Sequence, residues 1–477
     1  MMQLSLNKTS KKMKLSKSIF LKTVGVRERL EQGKAIRLTT PRSSLAEFKI
    51  QRRRQSPIDI LRLQEKSRIQ EYVPIRHARM AVNPFAFFRG GAAFMAHDLS
   101  KLATAPINVQ LCGDMHVSNF GFFSTTERQL VFGINDFDET LPGNFDWDLK
   151  RLTASAMIAA EHLGQDREYG ESIVRLMVTA YREHMLTYAH MPYIELARAY
   201  IDDKALLSKS NNVTALSKLF IEKQIIKARK NTNHGVIAKL TEATPTGRKI
   251  IDQPPLLEHI VLTRRGNKVT ELLDDFFNTY VQSLLPDRKH LLMRYRVIDY
   301  ARKVVGVGSV GTACWVLYME GLNENDPLFL QTKEAQRSVL APYFSDAQFR
   351  SHGARVVHGQ RLIQGAPDLF LGYGKTRELD FYIRQLRDMK GGISIDEDGV
   401  GVHEFPDYAK LFGWALANAH ARSGDPALLA GYCGRGEQLD DALVQFSTAY
   451  CEQNRIDYET FMRAIKSGKI SCATENF

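Results

Sequence analysis

Two short acidic clusters carry residue types that could move a phosphoryl group. The first reads Gly113-Asp114-Met115-His116-Val117-Ser118-Asn119 and the second Asn135-Asp136-Phe137-Asp138-Glu139. Each follows an apolar run rich in strand-forming residues (NVQLC and LVFGI), which predicts strand ends on adjacent strands of a hairpin. Placed there, Asp114, Asn119 and Asp136 converge. Phosphoryl transfer needs a carboxylate to orient the attacking hydroxyl, and oxygen ligands for the Mg²⁺ that bridges the nucleotide phosphates. Asp114 suits the first task; Asn119, Asp136 and Asp138 suit the second. The plainer reading is an acidic turn with an N-capping Asp and His116 in the core.

GDMHVSN resembles the catalytic loop of the aminoglycoside phosphotransferase and choline kinase group, with the same five-residue step from Asp114 to Asn119. NDFDETLPGNFDWDL resembles that group's metal-binding stretch. The resemblance implies ATP and Mg²⁺ as cofactors, Asp136 as a metal ligand, and Asp148-Leu149 as the helix-opening pair that braces the loop.

A glycine-rich stretch, Gly306-Val307-Gly308-Ser309-Val310-Gly311, lies between β-rich runs, and 22 residues further on Lys333 ends an alternating apolar strand. In a kinase small lobe, such glycines let backbone N–H groups approach phosphates, and a strand lysine pairs with them. Gly306, Gly308, Ser309, Gly311 and Lys333 are therefore the expected nucleotide contacts. A dinucleotide-binding fold fits less well, because no long helix opens directly after the glycines. A hairpin turn and a surface lysine are the plainer alternatives.

In ordinary kinases the glycine loop precedes the catalytic loop; here it follows by about 190 residues. The expected fold is thus α+β: a protein-kinase-like two-lobe fold, circularly permuted, with the large-lobe catalytic loop before the β-rich small lobe, and with extra helices. Fusion of two unrelated sites is the alternative. Permutation is tolerated where termini meet at the surface. The run FGWALANAH, from Phe412, resembles the large-lobe helix that comes before the catalytic loop in sugar and choline kinases, and residues 86–100 compete for that place. The expected organisation is a basic flexible tail (1–55), a mostly helical large lobe (56–296), a β-rich small lobe (297–395) and C-terminal helices packing on the large lobe (396–477).

Within those bounds, residues 57–82 read as a helix kinked or interrupted at Pro74, 346–364 as a helix, and GRKIIDQPPLL as a loop by its prolines. The protein-kinase glutamate that pairs with the strand lysine has no counterpart: the inward positions of helix 346–364 offer His358 and Gln360, and Glu334 should point to the opposite face from Lys333. Arg89, Arg384 and Arg387 stand in apolar contexts. They could bind an anionic substrate group or be structural arginines. Over residues 57–465 the chain is similar to an uncharacterised bacterial family (domain of unknown function 2252) through RMAVNPFAFFRGGAAFMAHDL, QLCGDMHVSNFG, GVGSVGT, LQTKEA, FYIRQLRDMKG and AHARSGD. That family names no substrate.

The net charge of +12 is concentrated in one place. Residues 1–55 hold 15 Lys/Arg against 3 Asp/Glu, and the rest of the chain is balanced. The body is not a basic groove, so nucleic acid is an expected partner only through the tail. No run of about 18 apolar residues predicts a membrane span, and no secretory signal is evident. Five scattered cysteines without a CxxC pair argue against a disulfide framework or zinc site and fit the cytoplasm. The expected activity is ATP- and Mg²⁺-dependent phosphotransfer to a hydroxyl of a small molecule or protein, with nucleotide as partner. A nucleotide-binding scaffold and an AMP transferase are the alternatives; neither acceptor nor oligomeric state is legible.

Overall fold

Helix Asp146–His162 is buried over nearly its whole length, because its side chains are small or apolar on almost every side. Helices Arg167–Ala189 and Gln438–Lys466 pack on it, and Phe405–Ser423 and Pro426–Cys433 pack in turn on Arg167–Ala189. Together they form the main apolar core. The computed structural model describes residues 24–49, 54–208, 214–245, 247–261, 268–304, 306, 308, 310–345, 348–396 and 399–474. Among them no helix is long and apolar enough to cross a membrane, and all five cysteines are unpaired.

The segment expected to be a flexible arm is folded over 24–49. Helix Val26–Ile36 lies so close to helix Pro426–Cys433 that a Cβ on Gly33 would stand 2.0 Å from the Leu428 carbonyl oxygen. Arg54 then bridges Asp98 (2.7 Å) and Asp457 (2.7 Å) with all three side chains largely buried. The basic count concealed this packing, because paired arginines and solvated ones look alike in sequence. Residues 1–23 lie outside the described residues.

Strand pairing differs from the expected hairpin. β1 (Asn108–Leu111) pairs antiparallel with β4 (Leu141–Asn144), whereas β2 (Phe120–Ser124) pairs with β3 (Leu130–Ile134). The short strands β5 (Ile201–Asp202) and β14 (Gly391–Gly392) extend the second pair at its two edges. The acidic clusters still meet, because β1 ends, β2 begins and β3 ends at the same side.

The texture change near residue 297 is a six-stranded antiparallel sheet in the order β12-β13-β11-β10-β9-β8. Its strands are β8 (Leu257–Glu258), β9 (Arg296–Lys303), β10 (Cys314–Glu320), β11 (Pro327–Glu334), β12 (Gly372–Lys375) and β13 (Asp380–Gln385). Trp315, Leu317, Leu328, Leu330, Phe381 and Ile383 face helix Val269–Ser283. Each such buried side chain contributes about 1.5–3 kcal/mol. Cys314, Val316, Phe329, Gln331 and Lys333 face the other way by strand alternation. There Val316 and Phe329 are covered by Val236 of helix Asn233–Leu240 and by Ile250 of β7 (Gly247–Ile250), which hairpins with β6 (Thr241–Thr244). The glycine-rich turn joins β9 to β10.

Helix His352–Gln364, starting at the Ser351 cap rather than at 346, packs against β12 and β13 and against helix Phe405–Ser423. The helix expected over 57–82 is interrupted, as Pro57–Glu65 and Val73–Ala81 with Pro74 in the first turn of the second, and GRKI is strand β7 instead of loop. The chain passes between helical body and sheet at two places that touch: Met389 N donates to Asn231 O (2.9 Å), and Asn231 Nδ2 donates to the Lys390 carbonyl.

Candidate active site

Asp148 stands in the first turn of helix Asp146–His162, and its carboxylate accepts from Cys112 N (2.6 Å) and Gly113 N (2.9 Å). This fixes the turn that presents Asp114. Gly113 has φ +86°, and a Cβ there would lie 2.4 Å from the Glu139 carbonyl oxygen, so the turn needs glycine. Ser155, two helical turns on, accepts from Val117 N at 3.0 Å. Asp148 is itself backed by His420 Nε2 at 3.5 Å, and His420 Nδ1 lies 2.9 Å from the Tyr181 hydroxyl. Helix Phe405–Ser423 thus supports the loop directly, and Ser423 Oγ accepts from Gln110 N on β1 at 3.2 Å.

Asn119 joins the two acidic loops. Its amide donates to the carbonyls of Asp114 (3.1 Å) and Asp136 (3.3 Å), and its Oδ1 accepts from Asp136 N (2.8 Å). With the side chain buried and its oxygen engaged, metal binding by Asn119 would draw on the second lone pair of Oδ1. Asp136 is the more open group, with 46% of its side-chain surface accessible.

Lys333 crosses from β11 to these loops. Its ammonium contacts Asp138 and lies 3.8 Å from Asp136 Oδ2. Tyr382, opposite Lys333 on β13, donates to Asp138 Oδ1 at 2.7 Å. Burial lowers the affinity of Lys333 for its proton, but the two carboxylates outweigh it and hold the ammonium well above its ordinary pKa. Burial raises Asp136, yet Lys333 and Arg384 bring it below the ordinary carboxylate value. Lys333 and Asp136 therefore both stay charged at neutral pH.

Arg355 takes the inward place on helix His352–Gln364 where a carboxylate was sought. Its guanidinium donates to the carbonyls of Thr140 (2.6 Å), Asp138 (2.8 Å) and Gln336 (2.8 Å). Gln360 is buried as expected, but His358 is exposed. Glu334 points away from the cluster and accepts from Ala313 N at 2.8 Å. Arg384 donates to Asn135 O (2.9 Å), so of the three flagged arginines it is the one tied to the acidic loop.

The glycine turn sits beside this cluster, since Cys314 at the start of β10 pairs with Lys333. Its carbonyls are held from the N-terminal side. Arg68 donates to Val310 O and to Gly308 O (2.8 Å), Arg79 to Gly306 O (3.0 Å), and Ile69 N to Gly311 O (2.7 Å). Ser309 lies outside the described residues. A cavity of 1280 Å³ opens on another side, between Arg68, Glu139, Gln336, Tyr343, Arg377 and Asp380, and does not reach Asp114 or Asp136.

Arg151, Tyr382, Arg355 and Lys390 were not singled out in the sequence. Arg151 had a signal, since it lies one turn beyond Asp148 on an otherwise apolar helix; its Nη2 is 2.6 Å from Asp114 Oδ1. Lys390 stands near Arg384 and Asp136, and burial, with the Arg384 charge, depresses its ammonium well below the ordinary value. Among the described residues no three His, Cys, Asp or Glu side chains gather as a metal cluster. Mg²⁺ sites of the phosphotransfer kind use one or two carboxylates plus substrate phosphates, and Asp136 with Asp138 meets that requirement.

The arrangement belongs to a mixed α+β protein in which a sheet lysine meets the acidic loop after β3, and Asn119 joins that loop to the one carrying Asp114. Residues 68–464 match the family described as an uncharacterized protein conserved in bacteria (DUF2252), and the chain belongs to that family. No curated protein and no solved structure matches it.

Proposed function

We propose that the chain is an ATP- and Mg²⁺-dependent phosphotransferase, built on a kinase-like arrangement whose halves are permuted in sequence. One observation carries the proposal: Lys333 meets the Asp136–Asp138 loop, which Asn119 joins to Asp114. Phosphoryl transfer needs those groups together. The order of parts in the sheet supports it as well: a glycine turn between two strands, a lysine on the next strand, then a helix.

In this reading Asp114 accepts the hydrogen bond of the acceptor hydroxyl, and Arg151 fixes the carboxylate's direction. The hydroxyl oxygen forms a bond to the γ-phosphorus as the bond to the β–γ bridging oxygen breaks. The hydroxyl proton passes to Asp114, and ADP leaves. Asp136, with Asp138, would hold Mg²⁺, which offsets charge on the phosphate oxygens when bound. Lys333 exchanges a carboxylate for phosphate.

A second reading, a nucleotide-binding scaffold, draws on the contacts of Asn231 with Met389 and Lys390 and on the helix Asn233–Leu240 lying over the sheet. There the polar groups of the two crossings are already bonded to each other. Incubation with γ- and α-labelled ATP plus Mg²⁺ separates the readings. Transfer from the γ position alone supports phosphotransfer, and transfer from the α position replaces it with nucleotidyl transfer. Binding without transfer to any acceptor, or to the protein itself, leaves the scaffold.

A further inference from the structure

The surroundings of Asp114 hold more positive charge than its carboxylate balances. Arg151 already neutralises it, with Nη2 at 2.6 Å and Nε at 2.8 Å from Oδ1, while also donating to the Phe88 carbonyl at 3.0 Å. The residue after Phe88 is Arg89, which closes helix Pro84–Arg89 and brings a second guanidinium to the same neighbourhood. Among the described residues Arg89 makes no ion pair and no side-chain hydrogen bond, and its Nε is shut off from solvent with no partner. Its side-chain contact is the Phe85 ring, 6.0 Å away. Its charge acts on both Asp114 and His116. His116 adds a second unmatched group: Nε2 lies 4.0 Å from Asp114 Oδ2, and Nδ1 is buried without a partner.

A cation partly withdrawn from water without an ion pair of its own is costly. A binding site repays that cost when the ligand brings the missing charge. Guanidinium groups match carboxylate and phosphate oxygens in pairs, and a neutral imidazole nitrogen can add one more hydrogen bond.

We infer that Arg89 and His116 form a subsite for an anionic group, carboxylate or phosphate, on the molecule whose hydroxyl meets Asp114. The identification of that molecule as a phosphoryl acceptor rests on the phosphotransfer reading; the anion subsite does not. Acceptors would then be hydroxy acids or phosphorylated alcohols rather than neutral or cationic alcohols.

Inorganic sulfate is a sufficient probe. Calorimetric titration of the full chain should show saturable sulfate binding, weakened about tenfold or more in Arg89→Gln and unchanged in the surface control Arg175→Gln. Phenylglyoxal labelling of the unaltered protein, mapped by mass, gives a second measurement that no folding defect can confuse: sulfate should slow modification at Arg89. Absence of sulfate binding in the unaltered protein, equal binding by Arg89→Gln, or labelling at Arg89 indifferent to sulfate would each overturn the subsite. ATP binding is measured in parallel. If the unaltered protein binds sulfate at Arg89 but no ATP, the phosphotransfer reading fails and the subsite stands.

Discussion

Lys333 gives its ammonium to Asp138 Oδ2, 195 residues earlier in the chain, while Tyr382 donates to the other oxygen of the same carboxylate at 2.7 Å. Two side chains of the sheet are thereby locked to the loop that follows β3. Asp138 remains 28% accessible and Asp136 46%, so the pairing is partly hydrated.

Lys333→Met removes the charge from this cluster while keeping the aliphatic stem. Unfolding in urea should show a loss of about 2 kcal/mol, below the full cost of breaking a buried pair because the carboxylates keep some water. Nucleotide affinity should fall in parallel. A variant as stable as the parent would mean that the Lys333–Asp138 pair contributes nothing net.

Asp136→Ala and Asp114→Asn should separate metal binding from chemistry. The first should abolish Mg²⁺-dependent nucleotide binding and leave the melting temperature nearly unchanged, since Asp136 lies at a strand end and is half exposed. The second should bind nucleotide as the parent does but lose about 10²–10⁴-fold in turnover. Calorimetry with a non-hydrolysable nucleotide reads the first quantity, and labelled phosphate release the second. If Asp114→Asn matches the parent's turnover, Asp114 is not the residue that orients the hydroxyl.

His116 should make the fold acid-sensitive. Burial, with the charges of Arg89 and Arg151, lowers its pKa from 6.5 to about 3 despite the attraction of Asp114. Between those values the unfolded chain binds a proton that the folded chain refuses, so stability falls as pH drops from about 6.5 towards 3. The contribution approaches 1.4 kcal/mol per pH unit, roughly one proton's worth. His116→Asn should flatten the urea-midpoint profile across that window relative to the parent, and parallel profiles would remove His116 as the source.

Arg54→Ala tests whether the N-terminal segment is structural. It strands Asp98 and Asp457, both largely buried, and should cost about 3 kcal/mol. A midpoint shift within measurement error would return residues 24–55 to the status of an appended arm.

The acidic loops were legible because their chemistry is local: Asp114, Asn119 and Asp148 act over steps a single sequence displays. Lys333 was legible for the same reason, as the polar end of an alternating strand. The pairing of β1 with β4 was not, since strands of four or five residues carry too little pattern to choose partners. Arg355 escaped notice because its partners are backbone carbonyls of Asp138, Thr140 and Gln336, and carbonyls leave no trace in residue type. The Ser351 cap was visible and should have moved the start of its helix, whose Ala354 N bonds Ser351 Oγ at 3.1 Å. β7 was hidden by the prolines that follow it. Arg54 shows the limit of counting charge: its two carboxylates lie 44 and 403 residues away.

The two chain crossings are tied to each other where Met389 and Lys390 bond Asn231, so a rotation of the sheet relative to the helical body would bend both at one point. Such a rotation would carry the glycine turn with it and would have to break the bonds that Arg68, Ile69 and Arg79 make to its carbonyls. Bonds from the charged guanidiniums contribute about 1.5–3 kcal/mol each, more than the neutral bond from Ile69 N. Loss of those bonds would thus set the rate of any such rotation, which for hinge motions falls on the microsecond-to-millisecond scale, and the Arg68 guanidinium, reaching from the helical side, would govern it.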